Sequence, residues 1–189
     1  SDRGARYLRA RCRAMVAGAA GAAGRALCGW RHHRLTRAPA RATADAKRDA
    51  GRSTIVPYLR ARGGALALLV VTHPDADHVG GAASVLASMR PPAMTEPGFA
   101  AATETYRRAI ATAQRIGTAW HRARAGETID VDGVTFRVLA PDSAWAAAQV
   151  NSNSACVVVR LEYRGATMLF TGDADAAEER WLLERWPEL

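Results

Sequence analysis

Two histidines and two aspartates fall within six positions of the stretch VVTHPDADHVGG, residues 70–81: His73, Asp75, Asp77 and His78. Imidazole nitrogens and carboxylate oxygens at this density suit a transition-metal ion, Zn²⁺, Mn²⁺ or Fe²⁺, better than Ca²⁺, which prefers oxygen ligands. Pro74 biases His73 toward an extended backbone. Alternate side chains of an extended segment project to one side, so His73, Asp75 and Asp77 are expected to share a face. Asp77 and His78 are adjacent, point differently, and can serve a second centre. Four ligands so divided predict a binuclear site for two divalent ions, Zn or Mn, about 3.5–4 Å apart, clamping an attacking and a leaving oxygen. Asp77 and His78 are the catalytic candidates. The competing readings are a polar turn or an Asp-rich helix cap. Against them, the cluster follows an apolar run and contains no Lys or Arg to neutralise its carboxylates.

A second stretch, MLFTGDAD at residues 168–175, repeats the pattern of apolar strand, glycine turn and carboxylate. Asp173 is expected to join the first cluster as a bridging ligand. A helix cap is the alternative for Asp173 and also for Asp175. The chemistry would be metal-assisted hydrolysis, in which no protein nucleophile is needed.

The elements around both stretches follow from pattern. STIVPYLRARGG reads as a short helix opened by Ser53 or Thr54, with Pro57 in its first turn and Gly63-Gly64 closing it. ALALLVV is an apolar run of strand length, as expected for a strand covered on both faces. Gly80-Gly81 lets the next helix, VGGAASVLASM, start close beneath the loop. It should stop before Pro91-Pro92, and residues 91–100 read as loop. ATETYRRAIATAQRIG is a helix closed by Gly117, with Tyr106, Ile110 and Ile116 toward one side. ETIDVDGVTFRVLAP predicts a hairpin at Asp132-Gly133, and ACVVVRLEYRGATMLFTGD another at Arg164-Gly165. DAAEERWLLERW is a closing helix. Hairpins mixed with crossovers predict an α/β fold with mixed sheets.

The charge has one location. The 189 residues carry a net +8, but residues 1–50 alone hold 12 of the 26 Lys+Arg and 3 of the 18 Asp+Glu. The remainder is close to neutral, so the basicity belongs to an arm, residues 1–48, rather than to the domain of residues 49–189. Within residues 1–50, Ala, Arg and Gly fill 31 positions, too few large apolar side chains to offset the entropy of ordering. The arm is expected to be disordered, or translated out of frame from a GC-rich gene. His32 and His33 there read as solvated basic residues, and His121 as an exposed loop histidine. Cys12, Cys28 and Cys156 have no disulfide or C-x-x-C spacing, and Cys156 reads as a buried thiol. No run approaches the length of a membrane span, so the chain reads as soluble as it stands, and as a fragment.

THPDADHVGG with FTGDAD resembles the metallo-β-lactamase superfamily, whose signature is H-x-H-x-D-H, with Asp75 in place of the second histidine. The H-x-D-x-D-H variant, with IVPYLRARGG before it and NSNSACVVVRLEYRGATMLFTGDADAAEERWLL after it, is similar to the C-terminal domain of ComEC-type DNA-internalisation competence proteins. The resemblance covers roughly residues 49–189. It implies an αββα sandwich, metal ligands at His73, Asp75, Asp77, His78 and Asp173, and hydrolysis of a DNA strand during uptake. It implies no nucleotide cofactor. It also implies a parent protein in a bacterial inner membrane, with this domain outside the cytoplasm. Asn151 to Ser154 fill the segment that elsewhere supplies another histidine ligand; an Asx-type turn and a site-lining role both fit them.

Two departures accompany the resemblance. Nothing in residues 1–48 matches the family's opening strands, and no His-His-Gly-Ser motif follows the closing helix. The domain is therefore expected to be incomplete at both ends, to hold fewer than two ions tightly and to be a weak enzyme. The rival functions are a small-molecule hydrolase of the same fold, acting on a lactam, lactone or thioester, and a non-catalytic remnant or DNA-binding module using the basic arm.

Overall fold

The computed structural model describes residues 49–63, 65–99 and 101–189, together with the backbone of residues 14–17. The layering is set by one strand. In β2, Leu68–Val71, all four side chains are buried. Alternation sends Leu69 and Val71 into one apolar cluster and Leu68 and Val70 into another.

The first cluster lies under helices. Leu69 and Val71 pack with Val79 of α2 (Ala76–Val79), with Val85 and Leu86 of α3 (Ala82–Met89), and with Ala109 and Ala113 of α4 (Glu104–Ile116). Val56 of α1 (Val56–Ala61) joins them. Tyr106, Ile110 and Ile116 line the face of α4 turned to this core, and Gly117 closes the helix in the left-handed conformation, both as expected.

The second cluster joins two sheets. Leu68 and Val70 meet Val134, Phe136 and Val138 of β6 (Val134–Ala140), and Val159 of β7 (Val158–Tyr163). A third cluster covers the outer face of the second sheet, where Leu182 and Trp181 of α6 (Ala176–Arg185) pack on Leu139, Ala140 and Val158. Helices, sheet, sheet and helix make the αββα sandwich. A further short helix, α5 (Ser143–Ala148), is capped by Asp142.

Parallel and antiparallel pairing segregate between the sheets. The first has the order β1-β2-β3-β4, all parallel, with β1 at Ala14–Ala17, β3 at Ala93–Glu96 and β4 at Ala119–Arg122. The second has the order β5-β6-β7-β8, all antiparallel, with β5 at Thr128–Val131 and β8 at Ala166–Phe170. Its two hairpins turn where expected, at Asp132-Gly133 and Arg164-Gly165, with all four residues at positive φ.

Several local expectations change. Residues 93–96, read as loop, form β3. Four residues between prolines give no usable period, and the strand exists because β2 and β4 pair with it from both sides. His121 is exposed, but on β4 rather than in a loop. The first helix begins earlier than Ser53: a π-type turn over Gly51–Ile55 precedes α1, and just before it Asp49 Oδ1 accepts from Arg52 N–H at 3.0 Å. The approach that Gly81 permits is to Gly51, whose backbone nitrogen would lie 2.5 Å from an added Cβ. Ala14–Ala17, placed in an arm without strands, run as β1 beside β2 in register Ala14↔Leu68 to Ala17↔Val71. The other expectations for residues 1–48, His32, His33, Cys12 and Cys28 included, lie outside the described residues.

Candidate metal centre

Backbone pairing brings the two motifs together. Beyond β2 the chain continues extended, and Val157 N–H donates to the Thr72 carbonyl at 2.7 Å, joining the end of β2 to the entry of β7. The last residue of β8, Phe170, pairs with Val159 near the start of β7. The segments after β2 and after β8 therefore emerge at one edge of the sandwich.

His73, His78 and Asp173 each place a ligand atom there within 4.8 Å of the others. His78 Nε2 is 3.1 Å from Asp173 Oδ2 and 3.7 Å from Asp77 Oδ2. His73 Nε2 is 3.7 Å from Asp75 Oδ2. All five predicted residues thus lie together. Both imidazoles are buried, with ring centroids 3.8 Å apart, while the three carboxylates reach toward solvent. The site has a dry nitrogen floor and a wet oxygen rim.

The route to this arrangement differs from uniform alternation. The extended backbone ends at Asp75, and Asp77 and His78 ride on the helical turn α2. Asp75 occupies the N-cap position of that turn, yet its side chain caps nothing; Oδ1 accepts from Ser152 Oγ at 2.7 Å. The helix cap in the second motif is Asp175, whose carboxylate accepts from Ala177 N–H and Glu178 N–H. Asp173, two residues earlier, faces His78. The Asn151–Ser154 segment fulfils both of its readings. Asn151 Oδ1 accepts from Asn153 N–H at 3.1 Å in an Asx turn, and Ser152 holds Asp75.

Burial and the neighbouring His78 ring lower the pKa of His73, against the opposing pull of Asp75, Asp173 and Asp77. Its neutral imidazole is the form that ligates a metal. Two neutral-capable nitrogens beside three carboxylates form a donor set suited to divalent first-row ions.

Three neighbours escaped sequence reasoning as parts of the site. Thr72, immediately before the first histidine, places Oγ1 3.2 Å from His73 Nδ1 and 3.4 Å from His78 Nδ1. Cys156, expected only to be buried, sits with Sγ 3.6 Å from His73 Nδ1, and burial pushes its thiol pKa up. Glu178 of α6 is fully buried, and its Oε2 accepts the Cys156 N–H at 2.9 Å. Thr72 had a signal in its position between an apolar strand and the first ligand. Cys156 and Glu178 had none, because their approach is purely tertiary.

A family profile described as "Beta-lactamase superfamily domain" matches residues 42–186. The chain is 25% identical over 140 residues to ComE operon protein 3 of Bacillus subtilis (strain 168), covering 74% of this chain and 18% of that protein. It is 32% identical over 126 residues to Recombination protein 2 of Haemophilus influenzae (strain ATCC 51907 / DSM 11121 / KW20 / Rd), covering 67% of this chain and 14% of that protein. The chain therefore spans less than a fifth of either relative. Among solved structures, CmlA, a diiron beta-hydroxylase from Streptomyces venezuelae, aligns with a TM-score of 0.42 at 14% identity, over 64% of this chain and 23% of that one. Among the described residues, no helix is long and apolar enough to cross a membrane.

Proposed function

Because this chain belongs to the beta-lactamase superfamily, we propose that it is a metal-dependent hydrolase acting on the phosphodiester bonds of DNA, in a protein that takes up DNA. The observation that carries the reading is the meeting of His73, His78 and Asp173, from strand-end motifs far apart in sequence, with ligand atoms within 4.8 Å. A relative named as a recombination protein, and the likeness of THPDADHVGG and FTGDAD to the motifs of competence proteins, support DNA as the substrate.

His73 and His78 would hold divalent ions through Nε2, with Asp75, Asp77 and Asp173 supplying carboxylate oxygens. When bound, such ions supply Lewis acidity and a water acidified to near neutral pH. The chain's own residues do the rest. Ser152 fixes the rotamer of Asp75 through the 2.7 Å hydrogen bond to Oδ1. Asp77, half-exposed with Oδ2 3.7 Å from His78 Nε2, would receive a proton from the attacking water as its oxygen bonds phosphorus and the P–O bond to the leaving oxygen breaks, and would return that proton to the leaving oxygen. The exposed carboxylate rim leaves room for a polymer to approach from solvent, and the buried imidazole floor excludes water from behind. DNA carries its own negative charge, so the rim must be neutralised by ions before a phosphate can enter, and the centre should be inert toward DNA without metal.

The test is a titration of the chelator-treated chain with Zn²⁺ or Mn²⁺, then hydrolysis assays on single- and double-stranded DNA, a lactam, a lactone and a thioester. Metal-dependent DNA cleavage that Asp173→Asn and His78→Ala abolish is expected. Turnover of a small ester or lactam alone would replace the DNA reading. Cleavage unchanged by both variants would remove the site.

A further inference from the structure

Beneath the two imidazoles lies a hydroxyl. Thr72 is fully buried, and its Oγ1 is within hydrogen-bond reach of Nδ1 on both rings, at 3.2 Å from His73 and 3.4 Å from His78. The opposite nitrogens face the carboxylates: His73 Nε2 toward Asp75 and His78 Nε2 toward Asp173. An imidazole that binds a cation through Nε2 carries its proton on Nδ1, and the group accepting that proton sets the ring's tautomer and angle. A hydroxyl oxygen has two lone pairs, so one threonine can accept from two rings.

The third side of Thr72 meets the second motif. Gly172, at φ +59°, lies so close that an added Cβ would be 2.9 Å from Thr72 Cβ and 3.2 Å from Oγ1. Asp173 follows directly. The one side chain therefore touches both imidazoles and the turn that presents the carboxylate. Cys156 Sγ, 3.6 Å from His73 Nδ1, is a weaker partner for that ring.

We propose that Thr72 is the shared positioning residue of the centre, its hydroxyl accepting from Nδ1–H of both His73 and His78 and turning both Nε2 atoms toward the carboxylates. This rests on the metal-centre reading above. It makes the two imidazoles one unit: what loosens Thr72 loosens both.

Thr72→Val keeps the shape of the side chain and deletes the oxygen, while Thr72→Ser keeps the oxygen; Thr72→Ala is the second deletion if the valine variant does not fold. Zn²⁺ affinity is measured by competition with a chromophoric chelator, and the ring nitrogens by ¹⁵N-histidine NMR of the metal-free and zinc-loaded chains. The valine variant should bind zinc about 10–100-fold more weakly, and the serine variant within about threefold of the parent. Nδ1 resonances of both His73 and His78 should move in the valine variant and return in the serine variant. Parent-like zinc affinity in Thr72→Val, or movement of only one histidine, would overturn the assignment. If the parent takes up no zinc, the metal-centre reading falls, and the metal-free nitrogen spectra still decide whether Thr72 bonds both rings.

Discussion

Replacing Glu178 by glutamine should change how stability depends on pH. The Glu178 side chain is fully buried on α6, Oε2 accepts the Cys156 N–H, and Oε1 has no hydrogen-bond partner among the described residues. Burial strips water from the carboxylate and pushes its pKa from 4.5 up to about 8, with the Cys156 N–H opposing and Asp175 adding like charge. An acid with a raised pKa in the folded state contributes full stability below its unfolded pKa, and loses that contribution as pH rises toward the folded value. Each pH unit in that window removes about 1.4 kcal/mol, so going from pH 5 to pH 7 costs roughly 3 kcal/mol. Glutamine mimics the neutral acid and keeps an oxygen for Cys156, so Glu178→Gln should match the parent near pH 5 and exceed it near pH 8. Urea unfolding of the metal-free chain at several pH values, parent against variant, isolates this one group from the other titrations. Parallel stability curves for the two proteins would show that Glu178 ionises freely in the fold, and the reasoning would fail.

The remaining predictions concern the centre. Asp173→Asn should retain the fold but lower divalent-ion affinity by at least about tenfold, because a charged acceptor 3.1 Å from His78 Nε2 becomes neutral; unaltered metal uptake by calorimetry would contradict its place. Ser152→Ala removes the 2.7 Å hydrogen bond that fixes Asp75, and should weaken metal binding severalfold while leaving the melting temperature nearly unchanged. Gly172→Ala puts a Cβ against Thr72 at a positive φ, and should destabilise the chain by about 1–3 kcal/mol in urea melts and weaken metal binding with it; a neutral result would remove Gly172 as a packing constraint.

The sequence alone determined the cluster of His and Asp side chains and most regular elements, because those signals are local. Adjacency of His73, Asp75, Asp77 and His78 needs no tertiary contact to be seen, and the period of α4 or the Asp132-Gly133 turn is written in neighbouring residues. The likeness of FTGDAD to the first motif marked Asp173, but not which atom it would face. Tertiary structure decided that. The antiparallel return of β8 along β7, and the hydrogen bond from Val157 N–H to the Thr72 carbonyl, bring Asp173 Oδ2 to 3.1 Å from His78 Nε2. It also made β3 from a proline-flanked tetrapeptide and drew β1 from a stretch of Ala14–Ala17 that composition had assigned to an arm. β1 and β3 take their hydrogen bonds from partners distant in sequence, and four residues apiece carry no period that marks them. The same holds for the second ring of groups around the centre. Which atoms Thr72, Ser152 and Cys156 meet is set by which side chains the two sheets press against them.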